Sequence, residues 1–345
     1  MDLLLSDAAD EVHLREELRR CVPGLRIETV SPGVLAVHDL PAADLQPPIV
    51  FARQLLPHAT FASAASIRGW AELLLDRIAP ALTGDSPWRL HLAPRYGQGS
   101  AGVHRCELIR KTFIEELGKK RRSLKRSLKA DDGTFRPEES LVQLLLTSPE
   151  TGFLSMAVAP QPHRLRHRIA PCPLGEFPVA SDKSAPSRAF AKLLEAEQRL
   201  GLRIGANESC VDLGACPGSW SYVALQRGAK VTAVDRSPLR DDLMAHPQLV
   251  FVRGDAFRFE PSGVMDWLLC DVIAAPERNI GLVLDWLKRG WCRHFVVTIK
   301  FKGAEDYPKL DQLKAELPDL TDSFLLTRLC ANRNEACVAG TARSS

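Results

Sequence analysis

The sequence predicts an α/β protein whose C-terminal half is an open parallel sheet, preceded by smaller α+β parts. Two observations lead there. Short apolar runs at residues 210–213, 231–234, 249–252, 267–270 and 295–299 are spaced as strand–helix repeats, and each reads as a strand buried on both faces. Each run also ends beside a charged side chain: Asp212, Asp235, Asp255, Asp271 and Lys300. In an open parallel sheet ligands bind beyond the carboxyl ends of the strands. A lone aspartate there is usually a loop cap or helix cap, but charges at all of these ends together point to a site.

The remainder of the chain is consistent with such a sheet. At 345 residues it has room for two or three domains, and a net charge of +3 marks no global field, so any basic surface is local. The nine cysteines include no C-x-x-C pair, which argues against a disulfide framework or a zinc site and for a reducing compartment. Leu3-Leu-Leu5 is followed at once by Asp7 and Asp10, so it reads neither as a signal peptide nor as a membrane span. The expectation is a soluble, cytoplasmic protein without metal or membrane partner.

Taken in order, residues 9–20 place Val12, Leu14 and Leu18 among charges as a short amphipathic helix. Apolar runs at 25–30 and 34–37 flank Ser31-Pro-Gly33, a hairpin signal. A helix over 67–82 carries Trp70, Leu73, Leu74 and Ile78 on one stripe. Residues 88–92 alternate as a strand, and 101–130 read as one helix ending in the most basic run of the chain. There Lys119, Lys120, Arg121, Arg122, Lys125, Arg126 and Lys129 interleave with Leu117, Leu124 and Leu128, which share a face and leave the cations on the other. Runs at 141–146 and 153–158 pair across a turn, and Arg164, Arg166, His167 and Arg168 add a second basic cluster. Two such clusters beside a nucleotide-using unit favour phosphate contacts over a merely solvated face. The Pro- and Ser-rich stretch 171–186 reads as a linker.

The first parallel strand runs into Leu213-Gly-Ala-Cys-Pro-Gly-Ser-Trp220, and Asp235 ends the next strand 23 residues after Asp212. That layout holds an adenosine ligand, with the second carboxylate on the ribose hydroxyls. A dinucleotide turn needs G-x-G-x-x-G, whereas this one is G-x-x-x-G with a proline inside. Such a turn suits the amino-acid end of S-adenosylmethionine, whose carboxylate can use free amides at the helix N-terminus.

The motifs Asp212-Leu-Gly-Ala-Cys-Pro-Gly-Ser-Trp220, Cys270-Asp-Val-Ile-Ala-Ala-Pro276, Ile299-Lys300, Pro186-Ser-Arg-Ala-Phe-Ala-Lys192-Leu-Leu-Glu195 and Asn334-Glu335 resemble the FtsJ-type RNA ribose 2'-O-methyltransferases. The resemblance is strong over 176–340 and weaker before. It implies a Lys-Asp-Lys-Glu tetrad at Lys192, Asp271, Lys300 and Glu335. It also implies S-adenosylmethionine held by Ser187, Gly214, Cys216, Pro217, Gly218, Ser219, Trp220, Asp235, Asp255 and Asp271. Where the family has Pro-Gly-Gly-Trp this chain has Ser219, which stays small and keeps its amide. Phe51-Ala-Arg-Gln54, Ala185-Pro-Ser-Arg188 and Gly290-Trp-Cys-Arg293 are similar to a member that methylates a cytidine of 23S rRNA in the peptidyl-transferase region. The implied architecture is a ferredoxin-like domain over 1–85, a THUMP-like RNA-binding domain over 86–170, a linker over 171–186 and a Rossmann-like methyltransferase domain over 187–345. The implied partner is 23S rRNA before full subunit assembly.

A ribose 2'-hydroxyl is a weak acid and a poor nucleophile, so its attack on a sulfonium methyl requires loss of the proton. A lysine serves as base only when neutral; a neighbouring cation favours that state and neighbouring carboxylates oppose it. The resemblance makes Lys300 the proton acceptor, with Lys192 as the second cation, while Lys183 and Lys302 remain alternative positions for the two. Cys216 could be a nucleophile activated by the helix N-terminus, though no histidine neighbours it in a motif. Three other readings are a 2'-O-methyltransferase of another rRNA or tRNA site, a non-catalytic RNA-binding factor on the same fold, and a nicotinamide-dependent dehydrogenase, which lacks its three-glycine turn.

Overall fold

A computed structural model describes residues 1–40, 48–96, 100–130, 136, 138–160 and 168–343. The chain divides into two units, Met1–Gln46 with Phe51–Glu176, and Pro47–Val50 with Phe177–Ser345.

The first unit contains two four-stranded sheets. Strand β1 (Asp2–Leu5), helix α1 (Glu11–Cys21), and strands β2 (Arg26–Ser31), β3 (Val34–His38) and β4 (Gln54–Leu56) build an antiparallel sheet of order β2-β3-β1-β4. The Ser31-Pro-Gly33 hairpin forms as its turn residues require. The second sheet comes from β5 (Thr60–Ser63), α2 (Ile67–Ile78), β6 (Trp88–Pro94), α3 (Ala101–Lys120), α4 (Arg122–Ser127), β7 (Ser140–Leu146) and β8 (Thr151–Ala157), in the order β5-β8-β7-β6. Only its β6–β7 pair is parallel. Trp70, Leu74 and Ile78 of α2 pack with Ile109, Phe113 and Leu117 of α3 beneath this sheet.

Three sequence expectations shift here. Because β5 pairs with β8 and α2 packs on α3, the elements over 60–78 belong to the second sheet. A dividing line drawn at residue 85 would cut through a single core. The helix expected over 101–130 is two helices, broken at Arg121, whose φ of −145° and ψ of 66° leave the helical region. Leu117 and Leu124 are nevertheless buried, and Leu128 packs against the same core. Within the stretch expected to be a linker, Gln54 Nε2 donates to the carbonyls of Ala170 and Cys172, so its start is tied to β4.

The second unit holds one seven-stranded sheet. Its elements are α5 (Phe190–Leu200), β9 (Ser209–Leu213), α6 (Ser219–Gln226), β10 (Lys230–Asp235), α7 (Asp241–Met244), β11 (Leu249–Arg253), β12 (Met265–Cys270), α8 (Pro276–Lys288), β13 (Cys292–Lys300), α9 (Leu310–Leu320), β14 (Thr321–Thr327) and β15 (Glu335–Ala342). The order is β11-β10-β9-β12-β13-β15-β14. Strands β9 to β13 run parallel as the sequence predicts, while β15 is antiparallel to both of its neighbours. The result is a Rossmann-like α/β sheet. Its strand order reverses between β9 and β12, which opens a crevice at their carboxyl ends. Leu193, Cys210, Ala224, Trp267, Val296 and Cys337 lie in its core. No helix among the described residues is long and apolar enough to cross a membrane.

Candidate active site

The crevice is a cavity of about 1030 Å³, lined by the ends of β9, β12 and β13, the start of α5 and the loop before β15. The first wall is the glycine turn after β9. Gly214 (φ +73°) and Gly218 (φ +108°) adopt left-handed backbone that disfavours any side chain. A Cβ at Gly214 would also lie 2.2 Å from Val272 Cγ2, and one at Gly218 would lie 2.4 Å from Leu243 Cδ1. The turn can therefore sit close against both neighbouring elements, and its amides at Gly214 and Ala215 are held by the carbonyl of Val234.

Asp235 holds the shape of this turn. Its Oδ2 accepts from Cys216 N at 3.0 Å and its Oδ1 from Ser237 N at 2.9 Å, while the residue lines the cavity. Ser187 and Ser219 share a hydrogen bond of 2.7 Å, and Trp220 Nε1 donates to Ala189 O at 2.8 Å. These contacts tie the approach to α5 onto the start of α6. Trp220 packs in the core and also lines the cavity. Burial, then Asp235, push the Cys216 thiol above its usual range. That is the wrong direction for a nucleophilic thiolate.

Asp212 is buried beneath the turn, its Oδ2 accepting from Ser221 N (2.9 Å) and Ser221 Oγ (2.7 Å). Burial pushes its carboxyl up to about 7, against the Ser221 bonds and reinforced by Asp271 and Asp235. Between roughly pH 4 and about 7 the folded chain thus holds a proton that the unfolded chain has released. In that window Asp212 makes stability fall as pH rises, by up to about 4 kcal/mol. Asp212→Asn keeps an oxygen for Ser221 and is expected to flatten this part of the curve. Urea denaturation across the window checks it; equal slopes in the two proteins would remove Asp212 as the cause.

The catalytic candidates meet at the other wall. Lys192 projects from the first turn of α5, Asp271 follows β12, Lys300 ends β13, and Glu335 opens β15 directly opposite Lys300. Lys192 Nζ lies 3.1 Å from both Asp271 oxygens and 2.6 Å from Glu335 Oε1. Lys300 Nζ donates to Asp271 Oδ1 and Glu335 Oε2. Each carboxylate thus bridges both ammonium groups, and the cluster is formally neutral. Thr298, on the same face of β13 two residues before Lys300, donates to Asp271 Oδ1 at 2.6 Å.

The pKa shifts follow from this packing. Burial works to raise the Asp271 carboxyl, but Lys300 and then Lys192, with bonds from Lys300 and Thr298, hold it below the usual carboxylate range. Burial likewise works against the Lys300 ammonium, yet Asp271 and Glu335 outweigh it and raise its pKa. The sequence left open which influence governs Lys300. Without a bound ligand, the carboxylates do.

Asp255 does not join the cavity. Its Oδ1 accepts from Phe257 N at 3.0 Å and its Oδ2 from Arg236 Nη2 at 2.8 Å, so it caps a 3-10 turn. Lys183 and Lys302 are likewise absent from the lining, as is Gly218. Sequence reasoning missed Thr298, whose signal was its place two residues before a strand-end lysine. It also gave no role to Glu195. The buried Glu195 carboxylate accepts from Cys330 N at 2.8 Å and from Arg199 Nε at 2.9 Å, which fixes the loop leading to Glu335. Among the described residues no group of His, Cys, Asp and Glu could hold a metal ion.

Residues 185–297 match the family described as FtsJ-like methyltransferase. The second unit carries an FtsJ-like methyltransferase domain. Lys192, the glycine turn, Asp235 and Asp271 fall inside the matched residues of this FtsJ-like domain, Lys300 lies just beyond them, and Glu335 lies well beyond. Similar curated relatives are named ribosomal RNA large subunit methyltransferase M. The one from Azoarcus sp. (strain BH72) is 38% identical over 143 residues, 39% of this chain and 39% of the relative. That from Edwardsiella ictaluri (strain 93-146) is 39% identical over 139 residues, covering 39% and 37% respectively. The Laribacter hongkongensis (strain HLHK9) protein is 36% identical over 172 residues, covering 48% and 44%. The chain thus spans less than half the length of these relatives.

Proposed function

We propose that this protein transfers the methyl group of S-adenosylmethionine to a ribose 2'-hydroxyl of large-subunit rRNA. The observation that carries the reading is the partly buried Lys192–Asp271–Lys300–Glu335 cluster at the carboxyl edge of the parallel sheet, in one cavity with the Gly214 turn. S-adenosylmethionine supplies a methyl group on a sulfonium. The amides at the N-terminus of α6 and the Asp235 carboxylate would hold the ends of the cofactor, and Ser187, Cys216, Pro217 and Ser219 line the cavity. Lys300 takes the 2'-hydroxyl proton as the oxygen–methyl bond forms and the methyl–sulfur bond breaks, leaving a thioether and an ammonium. Asp271 and Glu335 raise the Lys300 pKa in the ligand-free protein, and the positive charge of S-adenosylmethionine, if held in the same cavity, would oppose that and favour the base form. Asp271 and Glu335 orient Lys300, and Lys192 balances their charge.

Within this reading the target is a cytidine in the peptidyl-transferase region of 23S rRNA, methylated before the subunit is fully assembled, in the cytoplasm. The first unit supplies a ferredoxin-like part followed by a THUMP-like RNA-binding part. Supporting the former are the antiparallel order β2-β3-β1-β4 and the β1-α1-β2-β3 connectivity of a split βαβ arrangement. The boundary between the two parts falls before Thr60, where β5 joins the second sheet.

Two experiments test the function. Calorimetric titration with S-adenosylmethionine and with NAD separates a methyltransferase from a dehydrogenase. Mapping 2'-O-methylation on rRNA from cells with and without the protein then identifies the target; maps that do not differ would overturn the reading.

The basic run supplies a further expectation. Glu116 lies 2.8 Å from Lys119 and 3.6 Å from Lys120, so it partly neutralises both. Arg122, Lys125 and Arg126 of α4 are exposed and form no ion pair among the described residues. Replacing these three with Ala is expected to reduce the salt dependence of RNA binding by about two units of slope and to leave cofactor affinity unchanged. An unaltered slope would make the run a solvated helix face. Of the second basic cluster, Arg164, Arg166 and His167 lie outside the described residues.

A further inference from the structure

The catalytic cluster is neutral, so it offers a polyanionic acceptor no net attraction. The cavity is also large. Pockets for a single small ligand run about 300–1,000 Å³, and this one measures about 1030 Å³, enough for a cofactor and part of a second molecule. Among the side chains on its lining that neither the turn nor the cluster uses are Arg188, Ile273 and Arg333.

Arg188 immediately precedes Ala189, whose carbonyl takes the Trp220 indole bond, so its backbone is fixed at the start of α5. Arg333 is fixed in the loop before β15: its N–H lies 3.4 Å from Glu335 Oε1 and its carbonyl accepts from Arg328. Both arginines are exposed, and neither makes an ion pair among the described residues. Other arginines of this unit, such as Arg199, Arg227 and Arg293, are held by carboxylates. Ile273 follows Asp271 by two residues and is 91% exposed, more than any other large apolar side chain described. An apolar side chain left in water on the lining of the cavity gains by being covered.

Building on the proposed function, we propose that Arg188, Ile273 and Arg333 seat the acceptor nucleotide. The two guanidinium groups hold backbone phosphates on either side of the target ribose, and Ile273 packs against the face of the target nucleoside. The ligand chemistry is a single-stranded or locally opened RNA segment, because a strand whose bases are paired and stacked would keep its nucleoside faces from Ile273. Arginine suits the task, since its planar fork can grip a phosphate through two parallel bonds.

The test uses the full chain with a fluorescent single-stranded RNA oligonucleotide, S-adenosylmethionine, and an rRNA transcript as methyl acceptor. Arg188→Gln/Arg333→Gln is expected to reduce the salt slope of oligonucleotide binding by about 1.4, from about 0.7 per single-strand phosphate contact, and to raise KM for the transcript. Ile273→Ser is expected to raise that KM on the order of tenfold with the slope unchanged. Arg188→Lys/Arg333→Lys, which keeps both charges, should restore the slope and serves as the control for folding. All variants should bind S-adenosylmethionine as the wild type does. Unchanged slope and KM would overturn the proposal, and so would an Arg188→Gln protein that loses cofactor affinity, because the arginine would then face the cofactor. Wild-type protein that binds RNA through these residues yet methylates no 2'-hydroxyl would defeat the proposed function and leave the seat standing. Full methylation by the variants would do the reverse.

Discussion

Lys300→Ala is expected to slow methyl transfer by about a hundredfold to ten-thousandfold, the usual contribution of a positioned base. The chain should still fold, since Lys192 Nζ remains between Asp271 and Glu335 to balance part of their charge. The pH profile gives the sharper signature. Asp271 and Glu335 raise the Lys300 pKa, so at neutral pH the resting protein holds Lys300 as an ammonium. The base form is then a small fraction that grows with pH, so the transfer rate should rise from neutral into alkaline pH, and a bound sulfonium, by lowering that pKa, moves the rise to lower pH. Single-turnover transfer at saturating cofactor, with a melting curve and a cofactor titration on the same sample, checks both expectations. A Lys300→Ala enzyme with near-normal turnover, or a flat wild-type profile, would move the base elsewhere, with Lys192 as the next position to test.

Glu195→Ala is expected to be the most destabilising of the substitutions considered, by about 3–5 kcal/mol, the range for removing one partner of a buried charge pair. Its carboxylate is the common acceptor for Arg199 and for the backbone of Cys330 and Ala331. Its loss leaves the Arg199 guanidinium without that carboxylate in a buried setting and releases the loop that carries Asn332, Arg333 and Asn334 into β15. Glu335 should then wander from Lys300, so transfer falls together with stability. Urea denaturation and single-turnover rates on Glu195→Ala and Glu195→Gln separate the two effects. Gln keeps an acceptor oxygen and should recover much of the rate. If Gln proves as slow as Ala while stability returns, the carboxylate charge itself matters to the site.

The sheet and one wall of the cavity were legible in the sequence because parallel strands buried on both faces leave continuous apolar runs, and the residue after such a run sits at the ligand edge. That logic located Asp212, Asp235, Asp271 and Lys300 at the crevice. It failed at Asp255, where the ordinary alternative of a carboxylate capping its own turn prevailed. Strand β15 left little signal, since Ala336, Ala339 and Gly340 are neither β-branched nor aromatic. Glu335 was therefore reached only through resemblance to a family. The break at Arg121 was hidden for a related reason: no proline or glycine marks that position, and the turn is set by how Leu117 and Leu124 meet one core from two short helices. Arg188, Ile273 and Arg333 left no pattern at all, because a cavity rim collects residues from segments that share no period.

The register that sets Glu335 opposite Lys300 also makes the charge balance of the crevice depend on β15 being in place. Lys192, Asp271, Lys300 and Glu335 belong to four segments that meet only when the sheet is complete, and Glu335 arrives with its last hairpin. Until then, an otherwise native crevice would hold two ammonium groups against one carboxylate. Such a half-built crevice would repel a sulfonium and attract stray anions instead. Refolding followed by cofactor binding should therefore lag behind refolding followed by helix content, and the interval between the two curves times the docking of β15 between β13 and β14.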